Sequence, residues 1–317
     1  MGARVCHGRK VTSDSRGKFR CMEHRPEPPF GRVATAVITP FTAEGPIDYA
    51  VFWRLVRHLA DNGTETIVVS GTTGESPTLS KPEKMALFAA AGKVKVVAGG
   101  TNNDTAESIE FARSAAESGV DGVMAVTPYY SKPPQRGIVA HMHAIADATE
   151  LPVLIYNIPG RTATLIEIDT LVEICEHPRV VAVKDAVDDV DWSRKAIKAL
   201  PEGIAVYSGS DHLTKDLVAS GAVGVVSVTS HLAGREVAAM VDAVIDGDNT
   251  KAEQLHDLLM PLNHALFSEP SPMPLKAGLT AYWDSVGVSR LPLVAARTET
   301  VEAIGRALES IQEYRSL

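Results

Sequence analysis

The chain has 317 residues, 45% of them hydrophobic and 22% charged, with a formal net charge of −8. That composition is that of a globular protein with one large domain or two ordinary ones, and its acidic balance argues against nucleic acid or an anionic membrane surface as the main partner. Cys6, Cys21 and Cys175 are too few for a disulfide framework and fit a reducing compartment, and no apolar run approaches the ~20 residues of a membrane span.

Residues 1–30 carry Arg4, Arg9, Lys10, Arg16, Lys18, Arg20 and Arg25 against Asp14 and Glu23, and close on Pro26-Glu27-Pro28-Pro29. They lack periodicity and the apolar core of a signal peptide. Their arginine-rich, acid-poor composition faintly matches an organellar transit sequence, but a disordered basic extension is the simpler expectation.

From Val33 onward, apolar strand-like runs alternate with helix-period segments. The first run, Val33 to Ile38, ends at Thr39-Pro40-Phe41, and a helix follows from the N-cap Asp48. Thr66 to Val69 ends in Ser70-Gly71-Thr72-Thr73-Gly74-Glu75-Ser76, before a helix starting near Ser80 with Pro82 in its first turn. Val94 to Ala98 and Gly122 to Val126 are the third and fourth strands, the latter closing in Thr127-Pro128-Tyr129-Tyr130. Pro152 to Tyr156 is the fifth, ending in Asn157-Ile158-Pro159-Gly160-Arg161-Thr162. The sixth, within Arg179 to Ala186, is an apolar β-branched run with Lys184 at its far end. Ile204 to Tyr207, closed by Ser208-Gly209-Ser210-Asp211, and Val223 to Val228 complete the set.

Eight such strands, each followed by a helical segment, predict an α/β fold of the (β/α)8 TIM-barrel type over residues 31–234. An open doubly wound sheet would want a glycine-rich fingerprint after its first strand, where Thr39-Pro40-Phe41 stands. Helical periodicity without strands predicts a C-terminal helical appendix over 235–317.

Barrel chemistry gathers at the carboxyl ends of the strands, which here supply Thr72, Thr73, Tyr129, Tyr130, Tyr156, Arg161, Lys184 and the Gly209 turn. A desolvated lysine can attack a carbonyl as the free amine, and tyrosine hydroxyls can carry the protons that imine formation requires. Arg161 offers a fork for one carboxylate, and the Ser70–Gly74 turn offers backbone N–H groups and two hydroxyls for another. Each residue alone has a plainer reading: a tight turn, a core tyrosine, a surface arginine, a solvated lysine. Their joint placement at strand ends carries the chemical one.

The segments Gly71-Thr72-Thr73-Gly74-Glu75-Ser76, Val126-Thr127-Pro128-Tyr129-Tyr130, Tyr156-Asn157-Ile158-Pro159-Gly160-Arg161-Thr162 and Val183-Lys184-Asp185 together resemble the dihydrodipicolinate synthase family, within the N-acetylneuraminate lyase superfamily of class I aldolases. The resemblance runs from about Val33 to the C-terminus. It implies a lyase condensing pyruvate with L-aspartate 4-semialdehyde to 4-hydroxy-tetrahydrodipicolinate, on the route to diaminopimelate and lysine. By that likeness Lys184 forms the Schiff base, and Tyr156 shuttles protons in a relay with Thr72 and with Tyr130 from a neighbouring subunit. Thr72 and Thr73 hold the pyruvate carboxylate, Arg161 binds the semialdehyde, and Gly209 and Val226 line the substrate site. It further implies no cofactor and no metal, a homotetramer as the assembly, small-molecule substrates as the only other partners, and a cytoplasmic location.

Two departures stand out. The family's usual Ser-Gly-Asp-Asp turn is here Ser208-Gly209-Ser210-Asp211, one carboxylate short, which keeps open a sister aldolase or dehydratase acting on another 2-keto acid or aldehyde. Lysine-inhibited members carry histidines where Lys81 and Lys84 stand here, with Pro77 nearby, whereas Asn103, Glu107 and Tyr129 match the effector pattern. Weak or absent inhibition by lysine is the expectation. A barrel retained as a binding or regulatory protein is a third reading, disfavoured because Lys184 and Tyr156 are both present.

Overall fold

The computed structural model describes residues 25–316 and, nearer the N-terminus, the backbone of three short antiparallel strands, Val5–Cys6, Arg9–Ser13 and Phe19–Cys21. These strands stand within the extension for which no structure was expected; the rest of residues 1–24 lies outside the described residues. The extension also ends sooner than position 30. Phe30 is only 2% exposed, and its backbone N–H donates to the Tyr207 hydroxyl at 3.0 Å, so it packs as part of the barrel.

The barrel strands are β1 (Val33–Ala36), β2 (Thr66–Val69), β3 (Lys95–Gly99), β4 (Gly122–Val126), β5 (Val153–Asn157), β6 (Val180–Asp185), β7 (Ala205–Ser208) and β8 (Gly224–Ser227). All pair in parallel and close in the order β7-β8-β1-β2-β3-β4-β5-β6. Around them lie α1 (Tyr49–Asp61), α2 (Lys81–Ala90), α3 (Thr105–Glu117), α4 (Gln135–Asp147), the single turn α5 (Pro159–Thr162), α6 (Ile168–Cys175), α7 (Val190–Ala199), α8 (Thr214–Ala219) and α9 (Ser230–Asp246). Several helix starts follow from side-chain caps. Asp48 accepts from the Val51 N–H at 2.9 Å, and Ser80 with Glu83 forms a reciprocal capping box.

Two apolar layers result. Outward-facing strand residues such as Ile67, Val69, Val123, Ile155 and Val183 join the helices in one core. Inward-facing Ala34, Val68, Leu154, Ala182, Tyr207 and Val226 fill the barrel, with Phe30 among them. The interior is therefore packed, and open space is left only toward the strand ends.

The sequence division at 235 falls inside α9, which packs on β1 and β8 as the barrel's last helix. The appendix proper is α10 (Asn249–Leu266), α11 (Met273–Tyr282) and α12 (Thr298–Arg315), with α10 packed on α9 and α12.

Candidate active site

Lys184 is the penultimate residue of β6 and points into the barrel because of an irregularity in the sheet. Val153 pairs with Val180 but Leu154 pairs with Ala182, so Val181 is skipped and the register advances by one. Such a bulge exchanges which residues face inward from that point on. It sets Tyr156 opposite Lys184, with the lysine Nζ 4.0 Å from the centre of the tyrosine ring.

Lys184 is 5% exposed, and none of the described residues gives its Nζ a hydrogen bond or a salt bridge. Burial lowers its pKa to about 7; Asp211 pulls the other way and Arg161 adds to the lowering. About half of the population is then free amine at neutral pH, against about one molecule in three thousand for an ordinary lysine.

Burial pushes the Tyr156 phenol up to about 12, so it stays protonated and is a proton donor near neutrality. The charge of Arg161 and the polar Thr72 side chain work against that rise, while Asp188 adds to it. Thr72 is half-buried and Thr73 buried in a turn held by its own backbone: Glu75 N–H to Thr72 O at 3.0 Å, and Ser76 N–H to Gly71 O at 3.1 Å. Thr39 anchors it further by donating to Gly74 O at 2.7 Å.

Arg161 is exposed on α5, whose first residue, Pro159, has no N–H to leave unpaired. The following loop is held by Asn157, which donates to Ile166 O and accepts from Ile166 N–H, both at 3.1 Å. Gly209 lies directly against the lysine. A Cβ there would come within 3.1 Å of Lys184 Cε and 2.9 Å of Ala186 Cβ, so no larger residue fits. Val226 lies in the apolar layer lining the barrel interior.

Tyr130 does not join this cluster within its own chain. It is 89% exposed, at a φ of 71° that a bulky side chain rarely adopts. A cavity of about 490 Å³ runs over Thr72, Tyr156 and Arg161 and continues to Lys84, Asn102, Glu107 and Tyr129.

Two buried groups escaped the sequence reading. Asp211 accepts from the Ser227 hydroxyl and from the Val228 and Thr229 N–H groups at 2.8 and 3.2 Å, and its charge is what opposes the lowering of the Lys184 pKa. Burial still raises its pKa. Glu75 forms a 2.6 Å ion pair with Lys276 in the interior. Glu75 lay within a quoted motif, but nothing in the sequence marked its partner.

An unpaired, desolvated lysine beside a protonated tyrosine, at the carboxyl end of a barrel strand, can add to a carbonyl and dehydrate the adduct. That combination defines the Schiff-base, or class I, aldolase barrels. Residues 29–311 match the model of the dihydrodipicolinate synthetase family. The chain is 46% identical over 293 residues to 4-hydroxy-tetrahydrodipicolinate synthase of Thermosynechococcus vestitus, covering 90% of this chain and 99% of the relative. A dihydrodipicolinate synthase crystal structure from Bacillus anthracis superposes with a TM-score of 0.86 at 45% identity, over 89% of this chain and 98% of the other. One from Cyanidioschyzon merolae, solved with lysine bound, gives 0.88 at 40% identity, over 90% and 99%. The chain belongs to the dihydrodipicolinate synthetase family.

Proposed function

We propose that this protein condenses pyruvate with L-aspartate 4-semialdehyde to 4-hydroxy-tetrahydrodipicolinate, through a Schiff base on Lys184. The observation that carries the reading is the unpaired Lys184 amine, brought down to about 7 by burial and set 4.0 Å from the Tyr156 ring. In this reading the free amine adds to C2 of pyruvate, and the former carbonyl oxygen takes one proton from the adding nitrogen and a second from Tyr156 and leaves as water. A proton then leaves C3, and the enamine carbon attacks the aldehyde, whose oxygen is protonated. The amino group of the second substrate closes the ring by displacing Lys184 at C2, which returns the free lysine. Tyr156 donates to the departing hydroxyl and is resupplied through Thr72.

Thr72 and Thr73 hold the pyruvate carboxylate, and Arg161 the carboxylate of the semialdehyde. Gly209 leaves room beside Lys184, and Val226 contributes to the apolar surround. The electron sink is the lysine's own iminium, so the reaction needs no cofactor.

Tyr130 supports self-association. A tyrosine this exposed on a left-handed backbone completes a relay only when it reaches a second copy of the chain, and a homotetramer is the assembly we propose. A monomer by sedimentation, with full activity retained by Tyr130→Phe, would remove Tyr130 from the mechanism. No helix among the described residues is long and apolar enough to cross a membrane, and we place the enzyme in the cytoplasm.

Borohydride reduction in the presence of pyruvate tests the chemistry. A lactyl-sized mass on the Lys184 peptide, absent from Lys184→Ala, is the expected outcome; an unmodified wild-type chain would falsify the Schiff-base reading. Turnover of aspartate semialdehyde by the same preparation then separates this synthase from a sister aldolase.

A further inference from the structure

The turn after β7 is one carboxylate short, with Ser210 where the family has an aspartate, but a carboxylate reaches the same place from the β6–α7 loop. Ser210 Oγ donates a short hydrogen bond to Asp188 Oδ1. The Ser210 backbone is itself fixed, its carbonyl accepting from Ser208 Oγ at 2.9 Å and Thr214 Oγ1 at 3.2 Å. It directly follows Gly209, which lies against the Lys184 side chain. The Asp188–Ser210 pair is thus one residue removed from the lysine stem.

The acids beside Asp188 are engaged locally. Asp185 accepts from the Val187 N–H at 3.0 Å, and Asp189 caps α7 by accepting from the Asp191 and Trp192 N–H groups, both at 3.0 Å. Asp188 is exposed, and Ser210 is its one hydrogen-bond donor among the described residues, which leaves Oδ2 free. Asp188 also has a left-handed φ of 61°, a conformation that Asp tolerates and Gly adopts freely. Arg161 and Asp188 act in opposite senses on the Tyr156 phenol, so a cation and an anion both stand within electrostatic range of one hydroxyl. A ligand with a carboxylate and an ammonium on one carbon matches that pair.

Resting on the reading above, we propose that Asp188, oriented by Ser210, determines specificity by binding the α-ammonium of the amino-aldehyde substrate whose carboxylate Arg161 holds.

The test compares full-length wild type with Asp188→Asn, which keeps the acceptor for Ser210 and removes the charge. Asp188→Gly, which suits the left-handed backbone, serves as a second variant should the first fold poorly. Kinetics are measured with pyruvate and aspartate semialdehyde, with succinate semialdehyde, which lacks the amino group that displaces Lys184, as a competing inhibitor. In both variants KM for aspartate semialdehyde should rise about tenfold or more, while the inhibition constant of succinate semialdehyde stays within about twofold of its wild-type value. KM for pyruvate and the borohydride-trapped adduct should be unchanged. An unchanged KM for aspartate semialdehyde, or a weakening shared equally by both aldehydes, overturns the assignment. A wild type that traps pyruvate but does not turn over aspartate semialdehyde instead overturns the functional reading, and this assignment with it.

Discussion

Lys184 and Lys276 are 5% and 2% exposed, and each sets its nitrogen over an aromatic ring, 4.0 Å from the centre of Tyr156 and 4.1 Å from that of Phe41. They differ in what faces the charge. Lys276 has Glu75 Oε1 at 2.6 Å and the Val288 carbonyl at 3.3 Å, within a network where Arg290 donates its N–H to Glu75 at 2.8 Å and pairs with Glu83 at 2.6 Å. Burial pushes Lys276 down to about 8, with Glu75 pulling it back, so it remains mostly charged at neutral pH. Lys184 has no such partner among the described residues, and the carboxylate whose charge acts on it, Asp211, is engaged with Ser227, Val228 and Thr229. Burial alone therefore does not free a lysine amine; burial without an ion pair, at the open end of the barrel, does, and that is the state the proposed Schiff base requires. The paired lysine has a different use: it fastens the Thr72–Thr73 turn, through Glu75, to the C-terminal helices.

The comparison breaks first at activity. Lys184→Met should lose at least ~10³-fold in kcat and all trapped adduct, with a Tm equal to or above that of wild type, because an unpaired desolvated amine is replaced by an apolar side chain. Lys276→Met should do the reverse. It leaves Glu75 buried without its cation, a loss of about 3–5 kcal/mol of stability, while the trapped adduct still forms wherever the chain is folded. Adding Glu75→Gln should recover most of that stability. An Lys276→Met chain of wild-type stability that no longer traps pyruvate would erase the distinction between the two lysines.

Much of the first lysine's setting was legible in the chain, and almost none of the second's. Lys184, Tyr156, Arg161 and the Thr72–Thr73 turn could be placed at strand ends because a β-branched run shows where a strand stops, and the structure puts them there. The skipped Val181 was not visible, since one extra residue in a strand leaves hydrophobic composition unchanged while altering which residues face inward. Glu75 and Lys276 join distant parts of the chain, and neither local period nor local charge marks such a pair. Asp188 was hidden for a related reason. Among neighbouring acids only its bond to Ser210 sets it apart, and that bond exists only once the β6 and β7 loops meet.

The pH dependence sharpens the comparison further. Folded Lys184 takes up its proton only below about 7, against a usual value of 10.5. Between those values the unfolded chain binds the proton that the folded chain lacks, so this lysine makes stability rise with pH by about 1.4 kcal/mol per unit. Below pH 7 both states are protonated and the full penalty of burying the charge is present. Lys184→Met removes that penalty, so its advantage over wild type should be largest below pH 7 and shrink steadily toward pH 10. Urea titrations of both chains across that range measure it, and a constant gap would mean Lys184 is an ordinary lysine. Trapping by borohydride should show the same transition as an acid limb near pH 7.

Lys84 is a third case, and it yields the smallest expected effect. It is half-buried over the Phe111 ring at 5.8 Å, with its pKa lowered by burial against the pull of Glu107, in the arm of the cavity that also holds Asn102 and Tyr129. Lys81 beside it is engaged with Glu110 at 2.5 Å. A lysine ligand entering that arm would bring its ammonium toward one already there, and two such charges 4 Å apart repel by about 4 kcal/mol at the effective dielectric of a protein surface. Added lysine should therefore change the rate by less than about twofold up to millimolar concentration, and half-inhibition at micromolar lysine would refute this. Lys84→Ala provides the sign. It removes the positive charge on which Glu107 acts, so lysine should bind and inhibit more strongly in the variant than in wild type; an unchanged response would show that Lys84 is not what keeps lysine out.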